Sequence, residues 1–342
     1  MVRGGDSGSM LVTGATGVVG AEIVRGAGAA GWDVVGCSRR GGAGSVSWDM
    51  MNESAPAVLR RHWDVVVHAA ASTRWTLPAV EAWRANVTPL DPLAELLGPG
   101  THLVFVSTAW AIGLNGDVES PEVGDYRNTY EWSKAGAERT VRGRFGPATI
   151  IRPPLVVGRR SDGAVARFSG LYSRLTAITS GTLPALVCEK ESPLEMVSST
   201  DVVSCCLEVA AAGRPATTTV HVQGRGLGAM TVGELIERTL RRLDRWRARR
   251  GAEPLERPRL LTPEQWYRFF RPLAGRVLTR HQQRVLDTLE PFVPYMSIPH
   301  SLAVTWPVEP LEDCLDRCVD YWADRHPDRA CRELTPWKAA AR

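Results

Sequence analysis

The sequence predicts an α/β protein built on a doubly wound parallel sheet, with a smaller, mostly helical and discontinuous second domain. The first observation is a short apolar run at residues 9–13 that ends in a glycine-rich turn and continues into a helical pattern. The second is the recurrence of strand-length apolar runs at 33–38, 64–71, 101–108 and 148–152, with helical patterns among them. Strands that alternate with helices are typical of parallel sheets covered by helices.

The turn after the first strand carries Gly14, Gly17 and Gly20. Glycine suits this turn because the backbone needs unusual φ angles and a side chain would block the approach of a pyrophosphate. The helix that follows offers free N–H groups and the positive end of its dipole to an anion. A glycine triplet is a weak signal in a chain with 32 glycines, but its place between strand and helix favours a dinucleotide site.

Composition argues against several other classes of function. The 342 residues are 44% hydrophobic and 23% charged, and the length allows one large or two small domains. The net charge of +4 is too small to argue for nucleic-acid binding. No apolar run reaches the ~18 residues of a membrane-spanning helix, so we expect no membrane span. The Gly/Ser-rich residues 1–8 lack the apolar segment of a signal peptide.

The chain contains seven cysteines, which are scattered, odd in number and without the spacing of metal ligands. This pattern predicts buried free thiols and no metal site. Free thiols persist in a reducing compartment, so we expect a cytoplasmic protein.

The second strand ends in Ser38, Arg39 and Arg40. In a dinucleotide fold this position meets the adenosine ribose, where an acid would bind the 2′-hydroxyl of NAD and arginine suits a 2′-phosphate. These residues therefore predict NADP(H), although a solvated basic turn is an alternative interpretation. At the tip of the short third strand, 45–49, Asp49 could accept a hydrogen bond from the adenine amino group.

Two further strands end in small or hydroxyl side chains. The fourth strand ends in His68 and the alanines 69–71, whose small size would let a cofactor lie close to the backbone. His68 is either a structural residue or a proton carrier. The fifth strand ends in Ser107 and Thr108 at the carboxyl edge, where such sheets bind ligands.

A tyrosine and a lysine stand four residues apart at Tyr130 and Lys134. On a helix they share one face, and a neighbouring ammonium would lower the pKa of the phenol and tune it for proton transfer. Asn86 lies within a helical pattern predicted over 77–97, where asparagine is a poor helix former. It is either an exposed accident or a site where a local irregularity frees a backbone carbonyl.

With these residues together, the chain resembles the extended short-chain dehydrogenase/reductases, which have a Rossmann fold. The resemblance covers about residues 9–225 and includes the Thr13-Gly14 turn, His68 to Ala71, Asn86, Ser107-Thr108, Tyr130/Lys134 and Arg152-Pro153-Pro154. Within that family, the segments 69–78, 84–87, 106–110 and 150–158 are similar to the fatty acyl-CoA reductase and thioester-reductase branch. Val18 stands where the family often has a bulkier residue.

The resemblance implies a catalytic trio of Thr108, Tyr130 and Lys134, supported by Asn86, which would hold water and backbone near the lysine. It also implies a set of residues that contact NADP(H), formed by Gly14, Thr16, Gly17, Val18, Val19, Gly20, Ser38, Arg39, Arg40, Asp49, Ala69, Ala70, Ala71, Ser107, Tyr130, Lys134, Pro153 and Leu155.

The last third divides between the two expected domains. We expect a dinucleotide-binding domain of 9–158 plus about 192–225, a substrate domain of about 159–191 plus 226–330, and loose termini at 1–8 and 331–342. Residues 231–234 match a capping box before a helix. That helix carries an arginine cluster within 238–250, which is either a solvated face or a docking patch for an acidic partner such as a carrier protein or CoA phosphates. Arg159, Arg160, Arg167 and Arg174 are expected near the mouth of the substrate pocket.

These features favour an enzyme, an NADPH-dependent reductase of an acyl thioester. The thioester would be bound to CoA or to an acyl-carrier protein and reduced to an aldehyde, with further reduction to the alcohol left open. One alternative is an extended reductase of a free ketone, aldehyde, sterol or nucleotide-sugar. Another is a non-catalytic NADP-binding regulator, a class that tends to lose the tyrosine or the lysine. The sequence leaves the oligomeric state open.

Overall fold

The computed structural model describes residues 8–42, 44–179, 185–273 and 278–332. The strands in chain order are β1 (Ser9–Thr13), β2 (Asp33–Ser38), β3 (Val46–Ser47), β4 (Val65–His68), β5 (His102–Val106), β6 (Thr149–Arg152), β7 (Leu155–Val157), β8 (Ala185–Val187), β9 (Met196–Ser198), β10 (Thr219–Gly224), β11 (Arg259–Leu261) and β12 (Trp306–Pro307). The α-helices are α1 (Val18–Ala29), α2 (Ala79–Asn86), α3 (Leu90–Leu93), α4 (Thr129–Arg144), α5 (Leu171–Thr179), α6 (Ser199–Ala212), α7 (Val232–Ala248), α8 (Pro263–Gln265), α9 (Arg280–Leu289), α10 (Glu312–Arg325) and α11 (Pro327–Ala330).

The chain forms two compact units. Among the described residues, the first contains those within 1–156, 199–224 and 304–308, and the second those within 157–198, 225–303 and 309–342. Three segments differ from the domain prediction: residues 157–158 and 192–198 belong to the second unit, and 304–308 to the first, where β12 pairs with β10. A two-residue edge strand carries too little pattern to be assigned to a sheet from sequence. The predicted loose termini lie outside the described residues, apart from Gly8, Cys331 and Arg332.

The first unit contains an eight-stranded sheet in the order β12-β10-β6-β5-β4-β1-β2-β3. All neighbouring strands pair in parallel. The predicted doubly wound parallel sheet is therefore confirmed. β1 lies between β2 and β4 near the middle, so the turns after these strands meet at one edge of the sheet.

Helices cover the sheet because its strands are apolar on both faces. Leu11, Val66 and Phe105 belong to one buried cluster with residues of α3 and α4. Alternate residues such as Val12 and Val67 point to the opposite face and are also fully buried. There α1 and α6 pack against each other and against the strands.

The single helix predicted over 77–97 is wrong. The structure has α2, which ends at Asn86, then the short α3 and a turn of 3₁₀-helix at Ala94–Leu96. Pro89 and Pro92 explain the break, because proline lacks the N–H that a continuous helix would need. Asn86 therefore lies at the end of a helix.

In the second unit, an arginine-bearing helix packs against an aspartate-bearing helix. Each partner on α10 lies 78 residues beyond its partner on α7, so the two helices run parallel. The pairs are Arg238 with Asp316, Arg242 with Asp320, and Trp246 with Asp324. Thr231 and Glu234 form the predicted capping box at the start of α7.

These pairs engage Arg238 and Arg242 within the fold, while Arg245 and Arg249 stay exposed, so the interpretation of 238–250 as a docking patch remains a prediction that rests on fewer arginines. Arg247 is only 2% exposed and donates to the backbone oxygens of Glu253, at 2.6 Å, and Ala330. Arg159 pairs with Asp162 at 2.6 Å in the same unit. Several of these arginines thus form ion pairs or hydrogen bonds within the fold, because aspartates on α10 recur at the same spacing as arginines on α7.

Candidate active site

The glycine turn lies at the carboxyl edge of β1. Gly14 has φ +71°, and a Cβ there would lie 2.7 Å from the backbone nitrogen of Ala70. A Cβ on Gly20 would lie 2.2 Å from the oxygen of Gly14. These close approaches admit only glycine and keep the backbone of the turn open to a ligand. Gly17 precedes α1 without a side-chain cap, so the first N–H groups of α1 can meet an anion.

The residues next to this turn are partly or fully exposed at the carboxyl edge of the sheet. Thr16 is exposed, and Val18 and Val19 are partly exposed in the first turn of α1. Ala69 and Ala70 are partly exposed beyond β4, and Ala71 is exposed. The predicted cofactor residues 14–20 and 69–71 are therefore adjacent at one edge, and their role in binding remains a prediction.

His68 fixes the ends of β1 and β4. Its Nδ1 lies 2.9 Å from Oγ1 of Thr13, and that oxygen also accepts from the backbone of Ala70 at 3.3 Å. Burial lowers the pKa of His68 to about 3, so the ring is neutral at pH 7. This environment supports the structural interpretation of His68 over that of a proton carrier.

At the end of β2, Ser38 is buried while Arg39 and Arg40 are exposed. Ser38 Oγ lies 3.3 Å from the oxygen of Gly41 and from Oγ of Ser45, which holds the turn closed. Among the described residues, neither arginine has a hydrogen bond or ion pair from its guanidinium group. Both are thus available to a phosphate.

Asp49 is engaged in its own turn. Its carboxylate accepts from the backbone of Met51 at 3.3 Å and from Nδ2 of Asn52 at 2.7 Å. It follows β3, as predicted, but the structure gives it this local role. A contact with adenine remains a prediction.

Asn86 joins two segments of the site. Its Oδ1 accepts from the backbone N–H of Ser72 at 2.7 Å, and its Nδ2 donates to the oxygen of Ser72 at 3.1 Å and to Oγ of Ser133 at 2.8 Å. Ser133 in turn donates to the backbone oxygen of Tyr130 at 2.9 Å. Asn86 therefore positions the loop after β4 and the first turn of α4. Ser133 directly precedes Lys134, and the implied role of Asn86 in holding water and backbone near that lysine remains a prediction.

The start of α4 is held by local and distant contacts. Asn128 caps the helix by accepting from the backbone of Glu131 at 3.0 Å. Thr129 donates to the backbone oxygen of Leu77 at 2.8 Å. These bonds fix the position of Tyr130 in the first turn.

Thr108 and Tyr130 meet at the carboxyl edge of β5. Thr108 is 5% exposed, and its side chain lies close enough to the Tyr130 hydroxyl to favour the charged form of the phenol, which lowers its pKa. Ser107 is also buried, and its backbone is tied to Ile151 at 2.7 Å. The next residue, Ala109, donates to the oxygen of Pro153 at 2.9 Å, which brings Pro153 and the partly exposed Leu155 close to this edge.

The expectation that Lys134 lowers the pKa of Tyr130 is wrong. Burial raises the pKa of Tyr130 to about 12, while the side chain of Thr108 acts in the opposite direction. Desolvation of the charged form outweighs the favourable contacts. At neutral pH the phenol therefore keeps its proton, which suits a proton donor.

Lys134 is 2% exposed. Its Nζ donates to the backbone oxygen of Val106 at 2.8 Å and lies 4.1 Å from the centre of the Phe105 ring. Burial lowers the pKa of Lys134 to about 7, and the charge of Glu138 raises it. This hydrogen bond holds the Lys134 amine beside Val106, the residue that precedes Ser107 at the end of β5.

An ion pair between Glu138 and Arg152, one helical turn beyond Lys134, was not predicted from the sequence. Glu138 is fully buried and accepts two hydrogen bonds from Arg152, at 2.6 and 2.9 Å. Glu138 follows Lys134 by one helical turn, and this i, i+4 spacing was a usable signal. The ion pair joins α4 to β6 and places a negative charge near the lysine.

The first unit thus brings the predicted trio to the edge that also carries the glycine turn. A protonated phenol, a threonine hydroxyl and a buried amine can bind and protonate a carbonyl oxygen. Within the described residues, no group of three or more His, Cys, Asp or Glu side chains could hold a metal ion. In that same part of the chain, no helix is long and apolar enough to cross a bilayer.

Comparisons with known proteins agree with this geometry. Residues 50–206 match the NAD-binding family model described as "Male sterility protein". The subunit beta of methionine adenosyltransferase 2 from Danio rerio is 28% identical over 176 residues, 48% of this chain and 53% of that protein. The chain thus spans about half the length of the curated relatives it matches.

Solved structures show the same fold. The terminal R domain from the myxalamid PKS-NRPS pathway has a TM-score of 0.66 at 16% identity, covering 94% of this chain and 92% of that one. The Bordetella bronchiseptica enzyme WbmG, in complex with NAD and UDP, has a TM-score of 0.63 at 15% identity, covering 97% and 98%. An archaeal thiolation-reductase di-domain has a TM-score of 0.60 at 18% identity, covering 94% and 91%.

At these identities the likeness is one of fold. It agrees with the sheet order, the glycine turn and the matched NAD-binding segment. Residues 50–206 thus resemble an NAD-binding segment, and it lies on a parallel α/β fold that the chain shares with these solved structures.

Proposed function

We propose that this protein is an NADPH-dependent reductase of acyl thioesters carried on CoA or on a carrier protein. The thioester, NADPH and one proton would give an aldehyde, the free thiol and NADP⁺. The proposal covers this two-electron step, and the assay below decides whether the aldehyde is reduced again.

The proposal rests on the part of the chain that matches the family model. Residues 50–206 include the segments 69–78, 84–87 and 106–110, which resemble the thioester-reductase branch, together with Tyr130 and Lys134. The fold shared with a thiolation-reductase di-domain is consistent with such a substrate.

The choice of NADPH rests on the end of β2. Arg39 and Arg40 are exposed and, among described residues, have no partner for their guanidinium groups. No acid stands there to bind a free 2′-hydroxyl. Arginine pairs well with phosphate because its planar fork donates two parallel hydrogen bonds.

The fit of the site to the cofactor is supported by its backbone. A Cβ on Gly14 would fill the space beside Ala69 and Ala70, and the uncapped N-terminus of α1 faces the same turn. When bound there, NADPH supplies the hydride. Lys134 would hold the ribose of the nicotinamide half.

The remaining steps belong to side chains of this site. Thr108 and Tyr130 would hydrogen-bond the carbonyl oxygen of the thioester. As the carbonyl carbon gains the hydride, Tyr130 would give its proton to that oxygen, which yields a hemithioacetal. The carbon–sulfur bond then breaks as the hydroxyl proton passes to the sulfur, which leaves as a thiol, and the Tyr130 phenolate takes up one proton from the medium. Desolvation favours this role because it keeps the phenol protonated before the step.

The test follows NADPH absorbance with matched substrates of one chain length: an acyl-CoA, the acyl-pantetheine, the free aldehyde and a ketone. We expect oxidation of NADPH with the thioesters and release of a thiol, detected with a chromogenic disulfide. Reduction of ketones with no turnover of any thioester would refute the thioester proposal and leave the proposed oxidoreductase activity intact. NADPH binding without turnover of any member of the panel would favour the regulator instead.

A further inference from the structure

A buried ion pair lies one helical turn beyond the lysine of the site. Glu138 on α4 is fully buried and accepts from Nη2 and Nε of Arg152 on β6, at 2.6 and 2.9 Å. Nη2 of the exposed Arg142 lies 3.4 Å from Oε2 of the same carboxylate. These contacts hold the carboxylate in one place, four residues after Lys134 on the same face of the helix.

The amine of Lys134 is buried in the same region. Lys134 is 2% exposed, and removal from water disfavours the charged form of an amine. Burial lowers the pKa of Lys134 to about 7, while the charge of Glu138 raises it. An ion pair buried in this way is weak evidence of a role in stability, whereas its effect on the lysine is direct.

The other titratable groups near Lys134 do not supply this negative charge. His68 and Tyr130 are neutral at pH 7, because burial lowers the pKa of His68 to about 3 and raises that of Tyr130 to about 12. Glu131 is fully buried, but Arg127 pairs with it at 3.4 Å and its charge acts on Tyr130. The charged residues of other elements packed against α4 are exposed or partly exposed, namely Glu81 and Arg84 of α2, Asp91 of α3 and Asp125 of the 3₁₀ turn Val123–Asp125.

The protonation state of Lys134 decides how many donors it offers to a ligand. A charged amine has three N–H groups, and a neutral amine has two and a lone pair. The backbone oxygen of Val106 accepts from one of them, at 2.8 Å. The charged form therefore keeps two donors for the two hydroxyls of a ribose, and the neutral form keeps one.

We propose that Glu138 is a positioning residue, whose carboxylate keeps Lys134 charged and so preserves both donors for the nicotinamide ribose. Arg152 holds that carboxylate and acts only through it. The role at the ribose rests on the proposed function, whereas the effect of Glu138 on the charge of Lys134 is a property of the folded chain alone.

The first test measures the charge of Lys134 without cofactor or substrate. The free energy of unfolding is measured with urea from pH 5 to 10, for wild type and each variant, with and without Lys134→Met. The contribution of Lys134 to this free energy should begin to rise at its pKa in the folded chain, because above that pH the unfolded chain binds more protons. Glu138→Gln removes the charge and keeps the size of the side chain. The rise should then begin about one pH unit lower, as for the loss of a close opposite charge.

Three further variants separate the charge of Glu138 from its ion pair. Glu138→Asp keeps the charge but shortens the reach to Arg152, so it should move the rise much less than Glu138→Gln. Arg142→Gln removes a positive charge beside Glu138 at an exposed position, so it should move the rise to higher pH, and it tests the proposal even if Glu138→Gln does not fold. Glu22→Gln is the matched control. Glu22 is a buried carboxylate of α1, on the opposite face of the sheet and paired with Arg25 at 2.8 Å, so its loss should leave the rise unchanged.

The second test measures NADPH binding by fluorescence titration at pH 6 and pH 8. A fall of one unit from about 7 reduces the charged fraction of Lys134 ~10-fold at pH 8 and ~2-fold at pH 6. Glu138→Gln should therefore weaken NADPH binding more at pH 8 than at pH 6. Loss of a purely structural contact would weaken binding equally at both.

Two results of the unfolding measurement would overturn the proposal. One is a rise that does not move in Glu138→Gln, or in Arg142→Gln where Glu138→Gln does not fold. The other is a shift in Glu138→Asp as large as that in Glu138→Gln. An equal loss of NADPH affinity at pH 6 and pH 8 would overturn the link to the ribose. A wild-type chain that does not bind NADPH would refute the proposed function instead, and the unfolding measurement would still decide the effect of Glu138 on Lys134.

Discussion

Replacing Asn86 by alanine should destabilise the first unit because it removes three buried hydrogen bonds. The amide makes three hydrogen bonds, at 2.7, 2.8 and 3.1 Å, and Asn86 is 2% exposed. Each such bond contributes about 1 kcal/mol, so we expect a loss of about 3 kcal/mol in the free energy of unfolding. For a domain of this size that corresponds to a fall in Tm of roughly 6–12 °C.

The assay is thermal unfolding followed by circular dichroism, with Asn52→Ala as the control. Asn52 also makes two side-chain hydrogen bonds of 2.7 Å, with Asp49 and Arg84, but it is exposed. Water replaces those bonds, so its loss should stay within about 0.5 kcal/mol. Equal shifts in Tm for the two variants would refute the claim that the buried hydrogen bonds of Asn86 stabilise the first unit.

Three further predictions follow from particular side chains. Arg39→Asp should weaken NADPH binding ~10-fold or more, with little effect on NADH, in fluorescence titrations; a wild-type preference for NADH would refute the 2′-phosphate assignment. Arg247→Glu should lower stability by about 3–5 kcal/mol because it buries an unpaired charge among carbonyls, whereas Arg245→Glu, at an exposed site, should shift it by less than about 0.5 kcal/mol; equal urea midpoints would contradict this. Burial lowers the pKa of Lys134 to about 7 in the folded chain, so above that pH the unfolded chain binds more protons than the folded one. The free energy of unfolding of wild type relative to Lys134→Met should therefore rise as pH rises from 7 toward 10. A difference that does not change with pH would contradict the lowered pKa of Lys134.

The first half of the fold could be predicted because its signals are local. The strand, the glycine turn and the helix at 9–29 are consecutive in sequence, and β2 spans the predicted residues 33–38. Tyr130 and Lys134 were found from their spacing on one helix. The helix break after Asn86 is also marked locally, by Pro89 and Pro92.

What could not be predicted depends on distant contacts and on burial. The spacing of Asp316, Asp320 and Asp324 repeats that of Arg238, Arg242 and Trp246, but only the packing of α10 on α7 turns this into pairs. Likewise, proximity to lysine suggests a lowered pKa for Tyr130, while the degree of desolvation, which decides the direction, is a property of the folded chain.

The proton-donor role of Tyr130 is tested most directly by Tyr130→Phe. This change removes the hydroxyl and keeps the ring, so NADPH affinity, measured by fluorescence titration, should persist. Turnover of the best substrate in the panel, measured by NADPH absorbance, should fall by ~10²-fold or more for lost acid catalysis. Near-normal turnover of that substrate by Tyr130→Phe would contradict the assignment of Tyr130 as the proton donor.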